Sequence, residues 1–168
     1  KVVRTGRFRL AGMMFLAVLA LMADSASAAG DLSGMPFVVD GDTLGFGEIR
    51  VRLYGVDAPE RGQRCVVLGR SAPIGDWAAR TLRRLIGRSP VTCFPVGRRR
   101  GSHVVAKCHT ASISSLGRAM VESGFAWDYE SRSHGIYADA EAEARAGRLG
   151  IWAGASSCTP PWEWRRRF

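Results

Sequence analysis

From Glu48 to Val56 apolar and polar residues alternate: Ile49, Val51 and Leu53 face one way, Arg50, Arg52 and Tyr54 the other. A period of two predicts a half-buried strand. Just upstream, Pro36 to Asp40 predicts a short apolar strand, Asp40-Gly41-Asp42 a turn, and Thr43 to Phe46 a second strand. Asp57-Ala58-Pro59-Glu60 breaks the alternation, and residues 61–75 read as a polar, Gly-rich loop. From Asp76 to Ile86 the period changes. Trp77, Leu82, Leu85 and Ile86 recur at helical spacing, and Gly87 suits a C-terminal cap. Val91 to Phe94 and His103 to His109 predict two strands joined by an Arg-rich turn. Ile113, Leu116 and Met120 mark a second helix closed by Gly124, and Tyr137, Ala140 and Ala144 mark a third. Trp152, Trp162 and Trp164 in the tail are placed to pack back on the body. Five short strands without regular crossover helices suit a small closed antiparallel barrel better than a parallel α/β sheet.

The first 29 residues differ from the rest. Lys1, Arg4, Arg7 and Arg9 precede an uncharged, mostly apolar run from Leu10 to Met22, and Ala26-Ser27-Ala28 follows. This order reads as a secretory signal peptide over 1–29, ahead of one domain over 30–168 with a short Trp- and Arg-rich tail. The run is short for a membrane span of about 20 residues; an uncleaved amphiphilic anchor is the alternative. The expected location is the bacterial periplasm or outside the cell. Four bases and one acid lie in this segment, so the formal charge of +9 becomes +6 without it. Bases cluster at Arg80, Arg83, Arg84 and Arg88, at Arg98 to Arg100, and at Arg165 to Arg167. Such a field attracts polyanions, nucleic acid included; a solvated surface is the bland reading. Cys65, Cys93, Cys108 and Cys158 make an even count in an exported chain, which favours two disulfides. Three pairings are open, and the absence of any CxxC spacing argues against zinc.

The chemistry gathers between Val38 and Glu60. Asp40 and Asp42 sit on a tight turn, and Asp57 and Glu60 follow the alternating strand. If the segments pair, four acids converge and repel one another unless a cation joins them. Oxygen donors alone point to a hard ion, Ca2+ or Mg2+. Arg52 is on the polar face of the strand, and its planar fork can hold two phosphate oxygens. Each piece has an ordinary explanation: Asp-Gly-Asp is common in turns, Asp-Ala-Pro-Glu is a plausible helix start, and Arg52 could simply be exposed. The combination is more specific than its parts.

Val39-Asp40-Gly41-Asp42-Thr43-Leu44 and Val51-Arg52-Leu53-Tyr54-Gly55-Val56-Asp57-Ala58-Pro59-Glu60 resemble the signature of the staphylococcal nuclease (thermonuclease) family. Val104-Val105-Ala106, Leu116, Met120-Val121, Gly124, Tyr137, Ala140-Glu141, Ala144 and Leu149-Gly150-Ile151-Trp152 extend the resemblance over roughly residues 36–153. The resemblance implies an α+β fold, a five-stranded antiparallel OB-fold β-barrel with three α-helices. It implies Ca2+-dependent cleavage of phosphodiesters in DNA and RNA. The expected partners are DNA and RNA, single strands favoured, and the expected state is a monomer with no stable membrane insertion after signal cleavage. By position Asp42 and Asp57 would ligate Ca2+, the Ala58 carbonyl would be a third protein ligand, and Asp40 would stand behind them. Glu60 would be the general base and Arg52 the phosphate-binding group. Ala58 replaces a threonine of the staphylococcal enzyme, which should be harmless if only its carbonyl binds.

One departure matters more. The family has a second catalytic arginine before the Val-Val-Ala strand, usually in Tyr-Gly-Arg; here His103 holds that position in Gly101-Ser102-His103. Histidine is neutral near pH 7 unless perturbed and donates fewer hydrogen bonds than arginine. Arg100, three residues earlier, could reach in instead. Tyr129 could stack on a base, or simply pack. Cys93 and Cys108 fall on strands expected to be antiparallel neighbours and could be bridged, leaving Cys65 and Cys158 to tie the active-site loop to the tail. Three readings follow: an exported Ca2+-dependent nuclease of reduced activity, a catalytically impaired nucleic-acid-binding module, and an interaction or envelope-structural protein that uses Ca2+ only for stability.

Overall fold

The computed structural model describes residues 30–98, 100–154 and 157–167. The expected signal peptide, 1–29, lies outside these residues, as does Arg99 of the basic turn.

The chain begins with β1 (Leu32–Gly34) and β2 (Phe37–Val38), then β3 (Thr43–Phe46) and β4 (Ile49–Leu53), then the two-residue β5 (Val56–Asp57). A hairpin of β6 (Cys65–Val67) and β7 (Arg70–Ala72) leads into α1 (Ile74–Ile86). Next come β8 (Val91–Pro95), β9 (His103–His109), α2 (Leu116–Glu122), β10 (Trp127–Asp128), α3 (Glu130–Ser133) and α4 (Ala138–Ala146). A single 3-10 turn at Gly150–Trp152 precedes α5 (Pro161–Trp164).

Six strands form one sheet in the order β1-β8-β9-β4-β3-β2, curled as a half-barrel in an α+β fold. The alternation read in β4 is real: Val51 and Leu53 are buried and Arg52 is half-exposed. Two local features depart from the expected pattern. The β4–β9 pair is parallel, because α1 and β8 return the chain to the same end before β9 begins. The stretch 61–75, expected as a loop, contains the β6–β7 hairpin, with Leu68 and Gly69 at positive φ in its turn.

Leu44, Val51, Leu53, Val91, Val104 and Ala106 of the sheet meet Leu82, Leu116, Met120 and Val121 of α1 and α2 in the main core. A smaller core joins Cys65, Val67 and Ala72 of the hairpin to Ile74, Trp127 and Ile151, with Trp152 and Trp162 packed against it. This second core seats the tail beside β5. Two disulfides reinforce the arrangement: Cys93–Cys108 crosses β8 and β9, and Cys65–Cys158 ties the hairpin to the tail.

Candidate active site

The β3–β4 register sets Thr43 opposite Arg52, so the residue before Thr43 reaches the same end of the sheet as the residues after Leu53. Asp42 is thereby carried to the guanidinium of Arg52, and Leu53 N–H donates to the Asp42 carbonyl at 2.8 Å. Asp40 orders the turn by accepting from the Asp42 N–H at 3.1 Å. Gly41 is needed for closeness: a Cβ there would lie 2.6 Å from the Ala78 Cβ of α1 and 2.7 Å from that of Ala58. The turn, α1 and the Asp57–Glu60 segment therefore meet without intervening side chains.

Asp57 is wholly buried and Asp42 nearly so, at 4% exposure. One nitrogen, Nη2 of Arg52, donates to Asp42 Oδ2 at 2.8 Å and to Asp57 Oδ1. Asp42 Oδ2 also accepts from the Ala58 N–H at 3.2 Å, and Oδ1 from the Thr43 hydroxyl at 2.8 Å. Burial, reinforced by the charges of Asp40 and Asp57, pushes Asp42 up to about 8, against the opposing pull of Arg52 and the Thr43 hydroxyl. Burial works against the Arg52 charge, but Asp42 and Asp57 outweigh it and raise its pKa above the ordinary arginine range.

Glu60 is placed by its own loop. Its N–H donates to Gln63 Oε1 at 3.1 Å, and its carbonyl accepts from Gln63 N–H at 2.8 Å. Gln63 is buried and donates from Nε2 to the Thr159 carbonyl at 2.7 Å, linking this loop to the tail. Gly75 admits the loop: a Cβ there would fall 1.8 Å from the Glu60 carbonyl oxygen.

Sequence reasoning missed a second guanidinium. Arg165, just past α5, donates from Nη1 to Asp57 Oδ1 at 3.0 Å and from Nη2 to Asp57 Oδ2 at 2.7 Å. Its Nη1 also reaches Glu60 Oε1 at 2.5 Å. The hydrogen bonds to Asp57 raise its pKa above the ordinary arginine range. The only sequence signal was the Arg165 to Arg167 run, which carries no address more than 100 residues away.

Asp40, Asp42, Arg52, Asp57, Ala58 and Glu60 are thus brought together. Arg100 and His103 are not: among the described residues neither has a hydrogen bond or ion pair to the acids. Their backbones pair with each other around the Gly101-Ser102 turn, and the His103 ring, exposed, lies 3.4 Å from the Ser102 hydroxyl. His103 is opposite Arg50 on β4, two residues short of Arg52. Tyr129 stacks on Trp162 with centroids 5.3 Å apart, so a tail residue covers one face of its ring.

Among the described residues no group of three or more His, Cys, Asp or Glu side chains is arranged to hold an ion. The donor chemistry nevertheless fits a hard cation. Two buried carboxylates contact one positively charged nitrogen, so a single point between them already attracts positive charge.

The staphylococcal nuclease homologue family matches residues 50–154. A Rhizobium meliloti protein named succinoglycan biosynthesis protein ExoI is 37% identical over 81% of this chain and 73% of its own length. A protein of Shigella flexneri named micrococcal nuclease is 30% identical over 94% of each chain. One from Escherichia coli, named an uncharacterized endonuclease, is 29% identical over 77% of this chain and 82% of its own. With more than half its length matched by the family and relatives of this identity spanning most of it, the chain belongs to the staphylococcal nuclease family.

Proposed function

We propose that the protein is an exported, Ca2+-dependent nuclease that hydrolyses phosphodiester bonds of DNA and RNA. The observation that carries the reading is the convergence of buried Asp42 and Asp57 on Arg52, with Glu60 a few residues away on the same loop. Relatives named micrococcal nuclease and endonuclease point the same way.

Asp42, Asp57 and the Ala58 carbonyl would hold the ion, with Asp40 ordering the turn behind them. When bound, Ca2+ supplies electrostatic stabilisation to the phosphoryl oxygen. Glu60 takes a proton from the attacking water. As the new P–O bond forms, one P–O ester bond breaks, and the departing oxygen gains a proton from solvent. Arg52 binds the phosphate and stabilises the charge that builds on it. Nucleic acid is drawn by the basic surface: Arg80, Arg83 and Arg84 line a groove of about 580 Å³ with Trp77 and Phe125. Two disulfides accord with export, and no helix among the described residues is long and apolar enough to cross a membrane.

The test is cleavage of denatured DNA in Ca2+ by the wild type and Glu60→Gln. Loss of a general base typically costs about 10²–10⁴ in rate; equal rates reject this role. A second reading, a nucleic-acid-binding module with impaired catalysis, is favoured by the exposed His103, which stands away from the acids. It predicts salt-dependent binding of single-stranded DNA without cleavage, and gain of cleavage in His103→Arg.

A further inference from the structure

Resting on that nuclease reading, we infer that Arg165 is a second phosphate-binding residue of the reaction, delivered to the site by the C-terminal tail. Its guanidinium bridges Asp57, read above as a metal ligand, and Glu60, read above as the base. A phosphate reacting between those two carboxylates must pass next to this group. An arginine fork suits that place because it offers parallel N–H donors to phosphate oxygens and stays charged throughout.

The charges agree. With all four ionised, as a bound cation would require, Asp40, Asp42, Asp57 and Glu60 carry a formal −4, which Arg52 and Arg165 halve. A dication would then neutralise the cluster, and the phosphodiester and its more negative transition state would meet two guanidiniums as well. With Arg52 alone, the same ion would leave a net negative site facing an anionic substrate.

The tail is built to hold Arg165 there. The Cys65–Cys158 disulfide fixes it to the β6–β7 hairpin. Gln63, whose side chain orders Glu60, donates to the Thr159 carbonyl. Pro161 is buried, and Trp162 packs edge-on to Trp127 and stacks on Tyr129. Trp127 in turn pairs with Asp57 across β10 and β5. The arginine thus stands on a packed platform whose contacts reach both carboxylates it touches. A cation held by Asp57 would draw that carboxylate away from Arg165, whose Nη2 edge would then be open to a phosphate while Nη1 stays with Glu60. His103 and Arg100, standing apart from the acids, are not needed for this task.

Two other roles for Arg165 make different predictions. A plug would compete with the cation, so its removal would raise activity. A support for Asp57 would matter only for ion affinity, so excess Ca2+ would restore the rate. The experiment measures kcat on denatured DNA over a Ca2+ titration for the wild type, Arg165→Ala and Arg165→Lys, with Ca2+ dissociation constants from calorimetry and Tm as a check on folding. Removal of one transition-state donor costs about 10²–10³ in kcat. We expect that loss in Arg165→Ala at saturating Ca2+, a partial loss in Arg165→Lys, and Ca2+ affinity unchanged or tighter in both. An unchanged or higher kcat in Arg165→Ala, or full recovery with added Ca2+, overturns the inference and leaves the nuclease reading standing. A wild type that binds Ca2+ but cleaves nothing overturns both.

Discussion

A carboxylate removed from water holds its proton more tightly unless positive charge replaces the lost solvation. For Asp42 the replacement is incomplete: burial pushes it up to about 8 against the pull of Arg52. Between the ordinary carboxylate range and about 8 the folded chain therefore binds more protons at this residue than the unfolded chain. The sign follows: Asp42 favours folding at low pH, and that contribution is lost as pH rises through about 8. Urea midpoints of chelator-treated protein at pH 5 and pH 8 should fall by more in the wild type than in Asp42→Asn. A decline equally steep in the variant contradicts this account of the residue. Asp40, Asp42, Arg52, Asp57 and Glu60 were legible because they are local: a turn and one strand bring them together. Arg165 was not, because its partners lie 105 and 108 residues away and no periodicity links them.

Among the elements, the close approaches at Gly41 and Gly75 explain how a turn, a loop and a helix share one small site. Gly41→Ala would force its Cβ against Ala78 and Ala58, and overpacking of this kind costs about 1–3 kcal/mol. Chemical denaturation measures that cost, and an unaffected midpoint would mean the turn has room to move. The tail makes a second case. Replacing Cys65 and Cys158 together by serine should cost about 2–4 kcal/mol. It should also lower cleavage by more than the fraction unfolded explains, because Arg165 loses its anchor. Full specific activity in the folded double variant would show that tail packing alone positions Arg165. The β6–β7 hairpin escaped the sequence reading since its strands are three residues each and its composition is polar and Gly-rich. Long apolar periods, as in α1 and β9, were plain.

For the molecule as a whole, strand alternation and helix spacing pointed to a small barrel with helices and the family resemblance to the α+β class, while the parallel β4–β9 pair could not be read. Alternation fixes which face of a strand is buried but not the direction of its neighbour. The same scale carries the electrostatics. The basic groove on α1 predicts that single-stranded DNA binding by Glu60→Gln weakens between 50 and 200 mM salt, by more than about 10-fold if three or more phosphates are contacted. Fluorescence anisotropy would show it, and salt-independent binding would remove nucleic acid from the account. The proposed role of the acid cluster, with its arginines, is Ca2+-dependent phosphodiester hydrolysis. Its most direct test is the rate at which the wild-type chain cleaves denatured DNA as Ca2+ is titrated from chelator into the millimolar range. The expected result is no cleavage in chelator and a rate that rises and saturates with Ca2+. A rate indifferent to Ca2+, or no cleavage at any concentration, would contradict it.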